Sequence, residues 1–330
     1  MSGPASQGPK PPLSVSFHLF WGGFEPKSSY FVRALESRFD VRVEPVGRDL
    51  QFFSYFGRRV PARVLESPAA RIWFSGEVGM ARHVACDMEF GFWANPMLPG
   101  RSFRLPLWAV YLDWWDGSAA HSVDRALAPR QFRPRPHFCN FVYSNPTTFR
   151  AEVCHRLDRR RPVDRLGSVL NNAGVRVRDK MKALGDYRFT LAFENAYSPG
   201  YVTEKLLEPL LAGSIPIYWG GDEAASDFNP EAFVDARAFG DVDALVAHIL
   251  ALDDDEEAQR RLVEAPLFPD GIPYQFRPEF FADRVEELLS TPSLRNPLRD
   301  ATLVPGRPLL RSARRRLDRA GRFLRRAVGR

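Results

Sequence analysis

Three side chains stand where a reaction with an anionic leaving group would need them. Lys205 lies in Tyr201-Val202-Thr203-Glu204-Lys205, which opens a helix after the turn-forming run Ala196-Tyr197-Ser198-Pro199-Gly200. The first helical turn is the least favourable place for a cation by the helix dipole alone, so Lys205 asks for a counter-charge. A diphosphate at the helix start would supply it, taking both the free N–H groups and the ammonium. A solvated Lys205 beside Glu204 is the plainer alternative. Arg150 holds the analogous place in an earlier strand-to-helix unit, in the early turns of a helix with Asn145 as cap and Pro146 at its first position. Two cations near one sheet edge suit a diphosphate. Glu77 follows the strand Arg71-Ile72-Trp73-Phe74 and then Ser75-Gly76. That puts a carboxylate on the edge where open α/β sheets bind ligands, although surface glutamates are common and the position alone does not make one catalytic.

The elements that must position these groups are legible around them. Phe189, Leu191 and Phe193 alternate with Thr190, Ala192 and Glu194, the period of a strand. Leu206, Leu207, Leu210 and Leu211 give the following helix a buried face, Gly213 suits its C-terminal cap, and Ile215-Pro216-Ile217-Tyr218-Trp219 is the next strand. Pro209 should kink this helix or end it early. At the front, Leu13 to Trp21 reads as a strand ended by Gly22-Gly23, Lys27 to Phe39 as a helix, and Val41 onward as a returning strand. Residues 126–136, with Pro129, Pro134 and Pro136, resemble a linker, after which Phe138 to Ser144 starts a second sheet. Val175 to Leu184 reads as a helix and Ala232 to Val234 as a short strand. The expected architecture is α/β: an arm over 1–12, a doubly wound domain over 13–134, a second over 135–305, and a basic tail over 306–330. Of the aromatics Phe92, Trp93, Phe103, Trp108, Tyr111, Trp114 and Trp115, most are expected in the core and one or two on a platform for a sugar face. Asp241 and Asp243 form the Asp-x-Asp string of some divalent-metal sites, but they open the apolar pattern Leu245, Val246, Ile249, Leu250, which favours capping.

Composition narrows the classes. The 330 residues, 45% hydrophobic and 26% charged, suit an ordinary two-domain globular protein. No apolar run is long enough to span a bilayer, and residues 1–12 lack the apolar core of a signal peptide, so a cytoplasmic start is expected. Cys86, Cys139 and Cys154 are an odd set without metal-ligand spacing, expected as free buried thiols. Ten arginines against Asp318 alone give residues 307–330 a charge of +9, which leaves −3 for the rest of a chain of net +6. Leu310, Ala313, Leu317, Ala320, Leu324 and Val328 recur at helical spacing among those arginines. Such a helix reads as binding an anionic membrane surface. Packing on the acidic body and nucleic-acid binding are the alternatives, and the apolar stripe has no use on a phosphate backbone.

Phe193-Glu194-Asn195, then Tyr201 to Lys205, then Ala212-Gly213-Ser214-Ile215-Pro216-Ile217-Tyr218-Trp219-Gly220 closely resembles the signature of the α-1,3/4-fucosyltransferases, glycosyltransferase family 10, most nearly in its bacterial form. Trp73 to Glu77, Arg104 to Leu107, Phe138 to Val142 with Ser144-Asn145-Pro146, and Asp227 to Pro230 look like family segments in the same order. The resemblance runs from about Val15 to Leu289. It implies a GT-B fold, two Rossmann-like domains facing a cleft, with the acceptor glycan mainly on the first and GDP-fucose on the second. It implies transfer of L-fucose with inversion to the GlcNAc of an N-acetyllactosamine-like acceptor. Glu77 matches the proposed general base, Arg150 and Lys205 the cations on the diphosphate, Glu204 the carboxylate on the ribose, and Asn195 and Tyr201 further donor contacts. No metal or other cofactor is expected, since fixed cations stabilise the leaving group. The bacterial members' basic tails imply peripheral attachment at the inner face of the cytoplasmic membrane. Another nucleotide-sugar donor, or a non-enzymatic adaptor acting through its tail, are the readings left open.

Overall fold

Strands that read as alternating turn out to be covered on both faces. In the computed structural model, which describes residues 9–57, 59–78, 85–95, 98–112, 119–142, 148–167, 171–172 and 179–296, the central strands are buried almost without interruption. Thr190, Ala192 and Glu194 are as hidden as Phe189, Leu191 and Phe193. Parallel strands joined by helical crossovers require this, because the helices cover both sides of the sheet.

Two compact units emerge, one of the described residues up to Leu105 with those from Pro273 onward, the other Pro106–Ile272. The first carries β1 (Pro12–His18), α1 (Tyr30–Glu36), β2 (Asp40–Val43), β3 (Leu50–Phe53), α2 (Ala62–Leu65), β4 (Ala70–Ser75), β5 (Met88–Gly91) and β6 (Ser102–Arg104). The second begins with α3 (Leu107–Tyr111), α4 (Val123–Leu127), β7 (His137–Phe141), α5 (Thr148–Asp158), β8 (Val163–Arg165) and α6 (Lys180–Gly185). It continues with β9 (Tyr187–Phe193), α7 (Glu204–Ala212), β10 (Ile215–Trp219), α8 (Ala224–Asp227), β11 (Val234–Asp235), α9 (Val242–Asp253) and α10 (Glu256–Glu264). Then α11 (Pro278–Ser290) returns to the first unit.

Both sheets are parallel throughout, in the orders β2-β1-β3-β4-β5-β6 and β11-β10-β9-β7-β8. Each is doubly wound. The order reverses between β1 and β3 in one and between β7 and β9 in the other, and ligands of such sheets bind at the carboxyl ends of the strands flanking that reversal.

The unit boundaries differ from the expected division at 134, for two reasons. Phe281 of α11 lies 4.8 Å from Phe90, 5.6 Å from Phe31 and 6.2 Å from Phe52, so the late helix completes the aromatic core of the first sheet. The described residues between Pro106 and Pro134 belong instead to the second unit. Buried Trp108 donates its indole N–H to Asp227 at 2.8 Å and stacks near Phe228 and Phe268. The expected linker is a strap. Arg125 donates to Leu211 O at 2.9 Å, Arg130 to Leu210 O at 3.3 Å, Leu262 O at 2.9 Å and Ala265 O at 2.5 Å, and Arg135 to Ala212 O at 3.0 Å. Three guanidiniums spaced five residues apart thus satisfy the last three carbonyls of α7, where cations also favour the helix dipole.

That strap is one reason α7 runs through Pro209 to Ala212 rather than stopping early; Leu206, Leu207 and Leu210, all buried, are the other. Helix α6 starts at Lys180, and the earlier part of that expected helix lies outside the described residues, as do Asn145-Pro146, Trp114, Trp115 and the tail over 306–330. Asp241 caps α9 by accepting from Ala244 N at 2.8 Å, and Asp243 pairs with Arg156 at 2.7 Å. Cys86, Cys139 and Cys154 are free and buried. Among the described residues no helix is long and apolar enough to cross a membrane.

Burial brings the Arg130 guanidinium down to about 10, still charged near neutrality. Replacing Arg130 with Met should lower stability by about 2–3 kcal/mol, the cost of leaving helix-end carbonyls without charged donors, read as a shifted urea midpoint. Lys at this position should recover only part of it, since an ammonium cannot fork across three carbonyls.

Candidate functional site

The reversal in the second sheet lies between β7 and β9, and the two cations singled out by sequence are on the helices that follow these strands. Arg150 rises from β7 through α5. It is almost fully buried, lies over the Phe141 ring at 5.5 Å, and donates to Asn195 Oδ1 at 2.7 Å. Asn195 is the second residue beyond β9. Its neighbour Glu194, also at the end of β9, is fully buried and reaches the opposite way, to the start of α7. There Glu194 accepts from Thr203 N at 2.8 Å and from Thr203 Oγ1 at 2.8 and 2.9 Å, and its Oε2 is 3.4 Å from Lys205 Nζ. Consecutive residues of one turn therefore hold both cations.

Thr203 is the cap of α7, its hydroxyl accepting from Lys205 N at 3.3 Å. The Lys205 ammonium is shared by Glu194, Glu204 Oε1 at 3.2 Å and Thr203 Oγ1 at 3.2 Å. Burial works against charge on Glu204, but the ammoniums of Lys205 and of Lys180 on α6 outweigh it and hold the carboxyl below its ordinary range. Burial also dominates at Glu194, and there Lys205 does not offset it, so this carboxyl stands above its ordinary range. A shallow cavity beside α7 is lined by Lys180, Lys205, Glu208 and the end of β9.

Tyr201 is 2% exposed, and its carbonyl accepts from Gly221 N at 3.3 Å and from the Tyr218 hydroxyl at 3.4 Å. Glycine is required just beyond β10: a Cβ on Gly220 would lie 2.6 Å from Glu194 Cγ and 2.2 Å from the Tyr218 hydroxyl oxygen. Gly200, at φ +73°, makes the turn that brings the chain back to Tyr201.

In the first unit, Glu77 follows β4 at the carboxyl edge, half-buried, with its carbonyl accepting from Ser75 Oγ at 3.2 Å. Tyr55, just beyond β3, is held above its ordinary value first by burial and then by the charge of Glu77. Close by, the chain leaves β1 through Leu19 at φ +62°, and Leu19 O accepts from Phe56 N at 2.9 Å. Phe56 and Trp93 are exposed aromatics of this unit. Trp108, grouped with Trp93 in the sequence, is core.

The structure thus joins Arg150 to Asn195, and Lys205 to Glu204, at one sheet edge, with Tyr201 buried in the turn before α7, and puts Glu77 on the corresponding edge of the other sheet. Sequence reasoning passed over Glu194, Thr203, Lys180 and Tyr218. Glu194 had one signal: an acid that ends an apolar strand nine residues before a helix cap.

Residues 134–264 match the family described as glycosyltransferase family 10 (fucosyltransferase) C-term, and residues 15–111 match the alpha-(1,3)-fucosyltransferase FucT N-terminal domain. The chain is 29% identical over 314 residues to alpha-(1,3)-fucosyltransferase FucT of Helicobacter pylori, covering 83% of this chain and 64% of that protein. It is 35% identical over 144 residues to alpha-(1,3)-fucosyltransferase 4 of Mus musculus, covering 41% of this chain and 32% of that one. It thus spans less than two thirds of either relative. Among solved structures, an alpha1,3-fucosyltransferase superposes with TM-score 0.73 at 26% identity, over 89% of this chain and 94% of the other. An alpha1,3-fucosyltransferase with GDP-fucose gives TM-score 0.67 at 26% identity, over 88% and 94%.

Substituting Gly220 with Ala should force Glu194 and Tyr218 apart. The expected cost is about 1–3 kcal/mol of stability, from overpacking a buried site. A thermal-unfolding series of Gly220→Ala beside the open-space control Gly240→Ala checks it; equal midpoints would refute the contact.

Proposed function

Since this chain belongs to glycosyltransferase family 10, we propose that it transfers L-fucose from GDP-fucose, with inversion, to O3 of the GlcNAc in an N-acetyllactosamine-like glycan. The observation that carries the reading is the pair of cations at the reversal of the second sheet, Arg150 on Asn195 and Lys205 on Glu194 and Glu204. A nucleoside diphosphate is the ligand that this edge suits: its phosphates meet the start of α7 and two cations, and Glu204 accepts from the ribose hydroxyls. Asn195 and Tyr201 are the further donor contacts.

In the reaction the acceptor hydroxyl oxygen bonds to the anomeric carbon as the bond from that carbon to the diphosphate oxygen breaks. The sugar becomes oxocarbenium-like, and negative charge collects on the departing phosphate. Lys205 and Arg150 stabilise that charge from fixed positions, so the reading needs no metal. The hydroxyl proton must leave on the opposite face of the sugar, and Glu77 is the carboxylate assigned to take it. A half-buried carboxylate beside Tyr55, at the edge of the other sheet, supports that assignment. The apolar stripe among the arginines of residues 306–330 supports attachment to an anionic membrane surface, and with it a place at the inner face of the cytoplasmic membrane. Binding to vesicles with and without anionic lipid, before and after removal of 306–330, tests that part.

Product analysis by NMR with GDP-fucose and type 1 or type 2 disaccharides tests the transfer. Glu77→Gln should lower kcat by about 10²–10⁴ with GDP affinity retained, the range for loss of a general base. Lys205→Ala should weaken GDP binding and slow turnover by about 10²–10³, the range for loss of a fixed donor on developing charge. Normal turnover in Glu77→Gln would remove Glu77 from the mechanism, and normal GDP affinity in Lys205→Ala would remove the diphosphate from this edge.

A further inference from the structure

Without donor, the ammonium meant for a diphosphate already has two carboxylates on it. Glu194 and Glu204 lie 3.4 and 3.2 Å from Lys205 Nζ, and a doubly charged diphosphate arriving there meets their repulsion together with the attraction of the lysine. Resting on the donor reading above, we propose that Glu194 is the counter-charge that Lys205 exchanges for the donor, and that a proton taken up by Glu194 as the donor binds replaces the ammonium. Glu194 is then a positioning residue that acts through Lys205 and Thr203.

The hydrogen bonds allow a one-for-one exchange. Thr203 Oγ1 donates to one carboxylate oxygen of Glu194 and accepts from Lys205 Nζ at 3.2 Å, and the second carboxylate oxygen is 2.9 Å from the same hydroxyl. When Lys205 turns to the phosphates, a protonated Oε2 can donate into the place the ammonium leaves. The bond from Thr203 N to Oε1 at 2.8 Å is untouched, so the start of α7 stays where it was.

Charges facing the site single out Glu194 over Glu204. From α7 it meets Lys205 and Glu204, from β10 the Tyr218 hydroxyl at 3.4 Å, and from α5 Arg150 acts one residue away, through Asn195. Glu204 has two ammoniums, Lys205 and Lys180, that hold it ionised. Glu194 has burial against its charge and one ammonium in its favour, and the donor competes for that ammonium. Uptake raises the Glu194 titration in the complex above that of the free protein. Affinity therefore rises as pH falls between the two titrations and is level outside them, by at most about tenfold per pH unit.

GDP-fucose is the right probe, because its diphosphate is a diester with no proton to gain near neutrality. Calorimetric titration of the full chain in PIPES and in Tris, buffers of different ionisation heat, counts protons taken up. Across a pH series the wild type should take up a fraction of a proton that peaks between the two titrations, and bind more tightly as pH falls through that window. Glu194→Gln, which keeps the acceptor for Thr203 N, should take up none and bind with an affinity independent of pH. Should that variant not fold, the infrared difference spectrum of the wild type decides, since a protonated-carboxyl band must appear on adding GDP-fucose. No uptake in the wild type, undiminished uptake in Glu194→Gln, or no such band overturns the exchange. If the chain binds a different nucleotide sugar and not GDP-fucose, the donor assignment falls, and the same proton count with that nucleotide sugar still decides the role of Glu194.

Discussion

Helix α7 is pinned at both ends, and the candidate site depends on that. A helix leaves N–H groups unpaired at its start and carbonyls at its finish, and buried ends must find partners for them. At the finish of α7 the partners are guanidiniums from Arg125, Arg130 and Arg135. At the start, one of them is the buried carboxylate of Glu194. With its ends and its leucine face held, α7 cannot slide or fray without breaking charge-assisted bonds, and Lys205 is delivered to one place. Pro209 is tolerated in the middle of the helix for the same reason.

How much of this was legible follows from what is local. The strand, turn, helix and strand around residues 187–219 appeared in sequence because each is set by neighbours a few positions apart: apolar spacing, Pro199-Gly200, and Gly213, which adopts φ +74°. Topology then did the rest, since any βαβ crossover brings the start of its helix to the carboxyl edge, which is why Arg150 and Lys205 could be named from the residues alone, whereas Asn195 and Glu204 came from the family resemblance. The strands β3, β5 and β6, of three or four residues each, carry too short a period to be read.

The arginine strap and the return of α11 were not legible, and they fail for one physical reason. Both depend on partners far along the chain: Arg130 meets Ala265, and Phe281 meets Phe31. A proline-punctuated basic stretch looks like a linker when nothing says that its arginines end on helix carbonyls. Glu194 was hidden differently. Alternation placed it on the polar side of β9, whereas a sheet covered on both faces has no polar side, so a charge there has to be satisfied by protein.

The two edges of the second sheet show how buried charge can be either inert or responsive. At the amino edge Asp253, almost fully buried, pairs with Arg188 at 2.6 Å and with Arg161, and Arg188 also donates to Arg135 O at 3.0 Å. One acid has two cations there, Arg188 has a backbone carbonyl as well, and loss of the acid would leave both cations without their carboxylate, so the arrangement reads as structural. At the carboxyl edge the ratio reverses: two acids converge on Lys205. An ammonium with competing partners can release one when a stronger anion arrives, and the released acid must then find a proton or a donor. Burial ensures that Glu194 cannot turn to water instead. The same low-dielectric environment that makes Asp253 a fixed strut makes Glu194 sensitive to what occupies the edge, and the difference lies in the number of cations each one can count on.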